Sequence, residues 1–80
     1  MNKLSKLLAE ARNNPGGLSF SDFESLMNQA GWRFDRQRGS HRIWYSPERL
    51  MLSVQPRRNK AKSYQVRQFL QIYEKETSSG

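Results

Sequence analysis

Residues 32–55 read WRFDRQRGSHRIWYSPERLMLSVQ and decide the fold, because apolar and polar side chains alternate there with a period of two. Such alternation is typical of half-buried β-strands. Gly39-Ser40 supplies a two-residue hairpin turn, Pro47-Glu48 supplies a second turn, and Pro56 ends the third run. The stretch therefore predicts a three-stranded antiparallel meander.

The alternation also predicts which strand side chains are buried. We expect Trp32, Phe34 and Ile43 in the core. Trp44 and Arg42 are two residues apart in the strand and so lie on the same face, for which reason we expect Trp44 to be exposed. There it would stack on a base or cover a partner's side chains. In the third strand, one apolar face is formed by Leu50, Leu52 and Val54.

Helical patterns flank the strands on both sides. Apolar residues at helical spacing predict three helices, with the stripes Leu4, Leu7, Leu8, Ala11; Phe20, Phe23, Leu26, Met27, Ala30; and Val66, Phe69, Leu70, Tyr73. Pro15-Gly16-Gly17 ends the first helix. Ser19 is placed to cap the second helix and Gly31 to end it in a left-handed conformation, while the final helix begins near Ser63.

Eighty residues are enough for one small domain with a modest core. We expect an extra N-terminal helix over residues 1–17, a core over 18–75 and a flexible tail over 76–80. The order predicts an α+β fold whose three-stranded antiparallel sheet is covered by helices on one face. This αβββα order, behind an additional N-terminal helix, is the topology of double-stranded RNA-binding domains, which read RNA by shape.

The positive charge is concentrated in one half of the chain. The protein carries a net charge of +7, and residues 31–70 hold ten Lys and Arg side chains against Asp35 and Glu48. Lys and Arg that contact phosphates supply most non-specific affinity for nucleic acid, so a polyanionic partner is the simplest explanation. An anionic membrane surface is a weaker alternative, because these cations do not lie on a long amphipathic helix.

Several classes of site and location are disfavoured by composition. The chain has no cysteine and one histidine, which argues against a thiolate or zinc centre, and we expect neither metal nor cofactor. Residues 1–6 lack the apolar run of a signal peptide, and no apolar stretch reaches membrane-spanning length. We therefore expect a soluble, cytoplasmic protein with no membrane association.

His41 is the residue best suited to acid–base chemistry. Its imidazole class has an unperturbed pKa of ~6.5 and so accepts and donates protons near neutral pH. A structural reading is also open, because His41 shares strand parity with Ile43 and Tyr45 and could lie at the edge of the core. Gly39 and Ser40 could likewise be turn residues only, and the basic segment 57–62 could be a solvated loop.

Motifs along most of the chain resemble the HicA family of toxins, over roughly residues 18–75. The matching segments are Ala30-Gly31-Trp32, Gly39-Ser40-His41-Arg42-Ile43-Trp44-Tyr45, the turn at Pro47, Gln55-Pro56 and Lys60-Ala61-Lys62-Ser63-Tyr64-Gln65-Val66-Arg67-Gln68. The chain is most similar to the branch with an extra N-terminal helix. It departs from that branch at Ser63, where proline is common, but serine begins a helix equally well.

The resemblance implies a toxin that degrades mRNA through the histidine and is neutralised by a HicB antitoxin. RNA supplies its own 2′-hydroxyl nucleophile, so His41 would act as general acid or base. The second proton transfer stays open between water, Tyr45, Tyr64 and a cationic side chain. We expect Gly39, Ser40 and Tyr45 to support the site, and the RNA-binding set to be Arg36, Arg38, Arg42, Arg57, Arg58, Lys60 and Lys62.

The sequence is therefore interpreted as a metal-independent endoribonuclease, the toxin of a type II toxin–antitoxin pair, with mRNA and a HicB-like antitoxin as partners. The antitoxin is expected to cover the His41 face. One alternative is a non-catalytic RNA-binding module of the double-stranded RNA-binding fold, in which His41 contributes a hydrogen bond. Another is an interaction protein whose basic face docks an acidic protein.

Overall fold

The computed structural model describes residues 2–78. Helix α1 spans Lys3–Asn13, a short 3₁₀ turn spans Pro15–Gly17, and α2 spans Phe20–Gln29. The strands are β1 (Arg33–Arg38), β2 (His41–Tyr45), β3 (Met51–Val54), β4 (Pro56–Arg57) and β5 (Lys60–Ala61), and the last helix is α3 (Ser63–Thr77). The expected α+β order of two helices, a three-stranded sheet and a helix is confirmed.

Capping side chains fix where the first two helices begin. The Asn2 side chain accepts a hydrogen bond from the Ser5 amide at 2.8 Å and caps α1. Ser19 Oγ accepts from the Asp22 amide at 3.1 Å, as predicted. Gly31 follows α2 with a φ of 88°, the left-handed conformation that ends a helix at lowest cost in glycine.

The core lies between the helices and one face of the three-stranded sheet. Its fully buried side chains include Phe23, Leu26, Met27, Val54, Val66 and Phe69. The Phe69 ring lies edge-on to Phe23, with the centroids 6.0 Å apart, and 5.0 Å from Trp32. Burial of these aromatic rings fixes α3 against α2 and against the residue that leads into β1.

The sheet has the order β1-β2-β3 and is antiparallel throughout. Arg38 pairs with His41 across the predicted Gly39-Ser40 turn, where Gly39 has a φ of 60°. That value is typical of the first central residue of a type II′ turn, which glycine favours. The turn chemistry read from the sequence therefore sets the register of the hairpin.

A β-bulge interrupts the alternation in β1. Phe34 pairs with Trp44 and Arg36 with Ile43, so Asp35 is an extra residue on the first strand. Directly paired residues share a face of a sheet, and for this reason Phe34 and Arg36 lie on opposite faces. Phe34 is 42% exposed, so its predicted burial is wrong.

Trp44 is buried rather than exposed, which corrects the prediction made from its parity with Arg42. It belongs to the helix-covered core, and its Nε1–H donates to a carboxylate oxygen of Glu24 in α2 at 3.0 Å. Ile43 is buried as expected, but it lies on the other face of β2, away from the core cluster. Trp44 therefore lies on the helix-covered face of β2 and Ile43 on the open face, the reverse of the prediction.

The third strand is shorter than predicted, and Leu50 before it is 46% exposed. Leu50 belongs to the β2–β3 turn, where the Ser46 amide donates to its carbonyl at 2.8 Å. The buried Ser46 hydroxyl donates to Glu76 of α3 at 2.6 Å. Helix α3 accordingly continues to Thr77, into the segment expected to be a flexible tail, of which residues 79–80 lie outside the described residues.

The basic segment after β3 is a two-stranded hairpin and not an irregular loop. Pro56 pairs with Ala61, and Arg57 pairs with Lys60. Arg58 and Asn59 form its tip with φ values of 52° and 67°, the pattern of a type I′ turn. Ala61 is buried, and its amide donates to the Leu18 carbonyl at 2.9 Å, which attaches the hairpin to the segment before α2.

Candidate functional site

His41 stands at the first residue of β2, on the sheet face that no helix covers. Its side chain is exposed and lines an open depression together with Arg36, Arg38, Ile43, Met51 and Ser53. The strand register explains this grouping. Arg38 is the direct cross-strand partner of His41, and Arg36 is the partner of Ile43, two residues along β2. Side chains in those positions lie about 5 Å and 7–8 Å away at Cβ.

The register set by the Gly39-Ser40 turn brings both arginines to this face, and the bulge at Asp35 separates Phe34 from them. With uninterrupted alternation, Phe34, Arg36 and Arg38 would share one face of β1. The extra residue places Phe34 against Trp44 on the helix side, at 5.7 Å between ring centroids, while Arg36 and Arg38 lie on the face of His41. Two cations and an imidazole therefore share the open face.

The cations beside His41 differ in their partners. Arg36 forms a salt bridge with Asp35. That carboxylate, and next the Tyr45 hydroxyl, raises the pKa of the Arg36 guanidinium above its usual value, which favours its charged form. Within residues 2–78, no acidic side chain forms a salt bridge with Arg38. Arg38 is thus available to an anionic ligand.

Tyr45 and Arg42, both predicted site residues, lie apart from His41. Tyr45 is on the same face, four residues along β2 or about 13 Å between backbone positions, and its hydroxyl interacts with Arg36. Arg42 is on the opposite face, where it pairs with Glu24 and lies 4.2 Å from the centroid of the Phe34 ring. Arg42 therefore connects the sheet to α2 and is not part of the His41 group.

A chain of polar contacts supports the turn that precedes His41. The Gln37 amide nitrogen donates to the Gly39 carbonyl at 2.9 Å, and its amide oxygen accepts from Arg42 Nη1 at 2.9 Å. Arg42 in turn is held by Glu24. Gln37 was not singled out from the sequence, because its role depends on a helix residue far away in the chain. Gly39 takes part in this contact through its backbone carbonyl, and its support of the site stays a prediction.

The remaining predicted cations form a second basic surface on the β4–β5 hairpin. Arg57, Arg58, Lys60 and Lys62 line a groove with Tyr64 and the turn residue Gly16. None of the described acidic side chains forms a salt bridge with these four cations. The Lys60 ammonium donates to the Gly17 carbonyl at 3.2 Å, which ties the hairpin to the 3₁₀ turn.

The two basic surfaces meet at one end of the sheet. The last paired residues of β2 and β3 are Arg42 and Val54, so Gln55, the residue after β3, follows at the end of the sheet where His41 begins β2. Gln55 lines the hairpin groove, and its backbone N–H donates to the side-chain oxygen of the buried Gln65 at 3.1 Å. The depression around His41 and the groove are therefore adjacent.

Two further observations describe residues 2–78. No three or more His, Cys, Asp or Glu side chains come together in an arrangement that could hold a metal ion. None of the helices combines the length and apolar character needed to cross a membrane.

The comparison with protein families decides the classification. The family described as "HicA toxin of bacterial toxin-antitoxin" matches residues 20–73, well over half of the chain. This protein belongs to the HicA toxin family. The match begins with α2, so α1 lies outside it and is the extra N-terminal helix expected from the sequence. Membership makes this chain the toxin of a toxin–antitoxin pair and implies an antitoxin partner. Among curated proteins and solved structures, nothing matches.

Proposed function

We propose that this HicA-family toxin is a metal-independent endoribonuclease that cleaves mRNA in the cytoplasm, with His41 as general acid or base. The observation that carries the proposal is the position of His41. Its imidazole is exposed on the open sheet face, with Arg38 directly across the strand pair and Arg36 diagonal to it. A proton-transfer group beside two cations can move a proton and stabilise the negative charge that develops at a phosphate.

The reaction needs no nucleophile from the protein. His41 accepts the proton of the ribose 2′-hydroxyl, the 2′-oxygen forms a bond to phosphorus, and the bond from phosphorus to the 5′-oxygen breaks. The leaving 5′-oxygen takes up a proton, and the other product carries a 2′,3′-cyclic phosphate. Arg36 and Arg38 stabilise the negative charge that builds on the non-bridging oxygens.

The geometry narrows the choice of the second proton donor. The backbone of Tyr45 is about 13 Å from that of His41, but its hydroxyl interacts with Arg36, so Tyr45 stays a candidate donor beside water. Tyr64 lies in the groove beyond Gln55. Water is the simplest donor to the leaving oxygen, and with one histidine in the chain we expect a slow enzyme.

The alternative is an RNA-binding module without catalysis, and one observation favours it. Within residues 2–78, no side chain hydrogen bonds to the His41 imidazole. Catalytic bases are commonly oriented by a further group, although such contacts often form only once substrate is bound. In the proposed enzyme, the RNA itself and the neighbouring Ser53 hydroxyl would orient the ring.

The antitoxin proposed for this toxin is a HicB-like protein that covers the His41 face. The exposed surface to be covered is basic, so an acidic or strand-pairing partner would exclude RNA by overlap, without refolding the toxin. A competition assay tests this model. RNA and antitoxin should exclude one another, and simultaneous binding with His41 still reactive would favour inhibition from a remote site.

The test of the catalytic proposal compares the wild type with His41→Ala. The variant should keep its melting temperature and RNA affinity, because an exposed imidazole contributes little to the core. Cleavage of unstructured RNA and growth arrest should be lost. Free imidazole should partly restore cleavage, since the site is open to solvent.

The alternatives give different outcomes in the same assay. If wild-type protein binds RNA but never cuts it, the chain is a binding module. If it neither cuts nor binds RNA but captures the antitoxin, it acts through protein contacts alone. Full cleavage by His41→Ala would overturn the assignment of His41.

A further inference from the structure

The groove beside the β4–β5 hairpin has the size and lining of a nucleotide site. Its volume is about 710 Å³, larger than the depression of about 450 Å³ around His41. Small-molecule sites in proteins generally fall between about 300 and 1,000 Å³. The groove therefore has room for one nucleotide.

Tyr64 is the aromatic side chain of this groove. Helix α3 turns Phe69 into the core, with Tyr73 stacked on it at 5.8 Å, whereas Tyr64 in the first turn is 55% exposed. An aromatic ring left in solvent beside four cations is typical of surfaces that bind single-stranded nucleic acid.

A buried amide holds the Tyr64 ring in place. Gln65 is 4% exposed, and its side-chain nitrogen donates to the Tyr64 hydroxyl at 3.2 Å. Its amide oxygen accepts from the backbone of Gln55 at 3.1 Å. The ring is thus connected through Gln65 to Gln55, the residue that follows β3. A ring fixed before binding loses less conformational freedom when a base stacks on it.

Positive charge surrounds the ring on the hairpin side. Arg57, Arg58 and Lys62 have no salt-bridge partner among the described residues. Lys62 precedes α3 and lines the groove together with Ser63 and Tyr64 of the first turn, so the positive end of the helix dipole lies at the groove. Phosphates on either side of a stacked base would meet these groups.

We propose that the groove is a nucleotide subsite, in which a base of single-stranded RNA stacks on Tyr64 while the hairpin cations hold the adjacent phosphates. This inference rests on the proposed ribonuclease function, because the RNA that binds in the subsite is the RNA that is cut at His41. Because the groove adjoins the His41 depression through Gln55, the stacked base belongs to a nucleotide near the scissile phosphate.

Binding of a labelled single-stranded oligouridine to the His41→Ala protein tests the subsite apart from cleavage. Tyr64→Leu should weaken binding by about 5- to 100-fold, and Tyr64→Phe should restore most of it, because stacking needs the ring. Leu50→Ala is the matched control. Leu50 is 46% exposed at the other end of the sheet, and its loss should leave affinity unchanged.

An abasic oligonucleotide of the same length separates stacking from charge. Tyr64→Leu should not change its affinity, because no base is present to stack. In RNA containing 2-aminopurine, Tyr64 should quench the base fluorescence, and Tyr64→Leu should abolish the quenching. A melting curve of each variant ensures that a folded protein is measured.

The outcomes distinguish this inference from the proposed ribonuclease function. Unchanged oligouridine affinity in Tyr64→Leu overturns the subsite even if the wild type cleaves RNA. The subsite stands if affinity depends on Tyr64 in a protein that never cleaves. Loss of antitoxin binding alone in Tyr64→Leu would make the groove a protein-docking surface and would also overturn the proposal.

Discussion

Phe34 and Arg36 are two residues apart in β1 but lie on opposite faces of the sheet, because the β-bulge at Asp35 separates them. Phe34 pairs with Trp44 on the helix side, and Arg36 pairs with Ile43 on the side of His41. The extra residue in this edge strand thus keeps Phe34 off the face that carries Arg36, Arg38 and His41. Bulges commonly re-aim side chains in this way.

Two single-residue deletions test whether the register set by the turn places Arg36 on the His41 face. Deletion of Asp35 should convert the bulge to a regular ladder, leave Arg36 on the His41 face and keep RNA cleavage close to that of the wild type. Deletion of Gln37 should move Arg36 to the helix face and lower cleavage by ~10²-fold or more, as expected for a displaced charge. Cleavage rates and far-ultraviolet circular dichroism provide the measurements. Equal activity in both deletions would contradict the face assignment.

The burial of Trp44 predicts effects on stability and not on RNA binding. Trp44→Phe removes the donor to Glu24 and should lower the free energy of unfolding by about 1 kcal/mol. Trp44→Ala also leaves a cavity and should cost about 3–5 kcal/mol. Urea denaturation checks both values. A stable Trp44→Ala protein with weakened RNA affinity would support the exposed position expected from the sequence.

The proposed chemistry predicts the products of cleavage. Cleavage should continue in EDTA and leave a 2′,3′-cyclic or 3′-phosphate end, because the 2′-hydroxyl is the nucleophile and His41 moves its proton. DNA and RNA methylated at the 2′-oxygen should not be cut. Mass spectrometry of the fragments identifies the ends. A 3′-hydroxyl end would require a different nucleophile.

The cations of the β4–β5 hairpin predict how RNA binding depends on salt. Replacement of Arg57, Arg58, Lys60 and Lys62 by Ala should weaken RNA binding similarly across sequences and reduce the logarithmic salt slope by up to about 3, at about 0.7 per phosphate contact. The matched control replaces Lys3, Lys6, Arg12 and Lys75, which removes the same charge outside residues 31–70. Affinity measured by fluorescence anisotropy from low to high salt tests both proteins. If the two slopes fall equally, net charge and not the hairpin controls binding.

Local signals in the sequence predict the helices and the central turn. Ser19, Gly31 and the Gly39-Ser40 turn act through neighbouring residues, and the structure confirms their roles. The sheet face on which Trp44 lies does not follow from such local signals. It depends on Glu24 in α2 and on a bulge in β1, and neither is a property of the strand that contains the tryptophan.

The sequence predicts only those parts of the candidate site that depend on neighbouring residues. His41, Arg36 and Arg38 come together because the turn fixes their register. Arg42 was assigned to the same set, but its long-range partner Glu24 holds it on the other face. The supporting roles of Gln37 and Gln65 depend on contacts with the backbone of other segments, which leave no pattern in the sequence.

The arginine at the tip of the β4–β5 hairpin lowers the stability of the protein. Arg58 and Arg49 both have left-handed backbone, with φ values of 52° and 69°, a conformation that costs a non-glycine residue roughly 1 kcal/mol or more. Glycine at either position should therefore raise the melting temperature, but only Arg58→Gly should weaken RNA binding, because Arg49 lies in the turn at the other end of the sheet. A toxin optimised only for thermal stability would have glycine at residue 58 and a lower affinity for RNA.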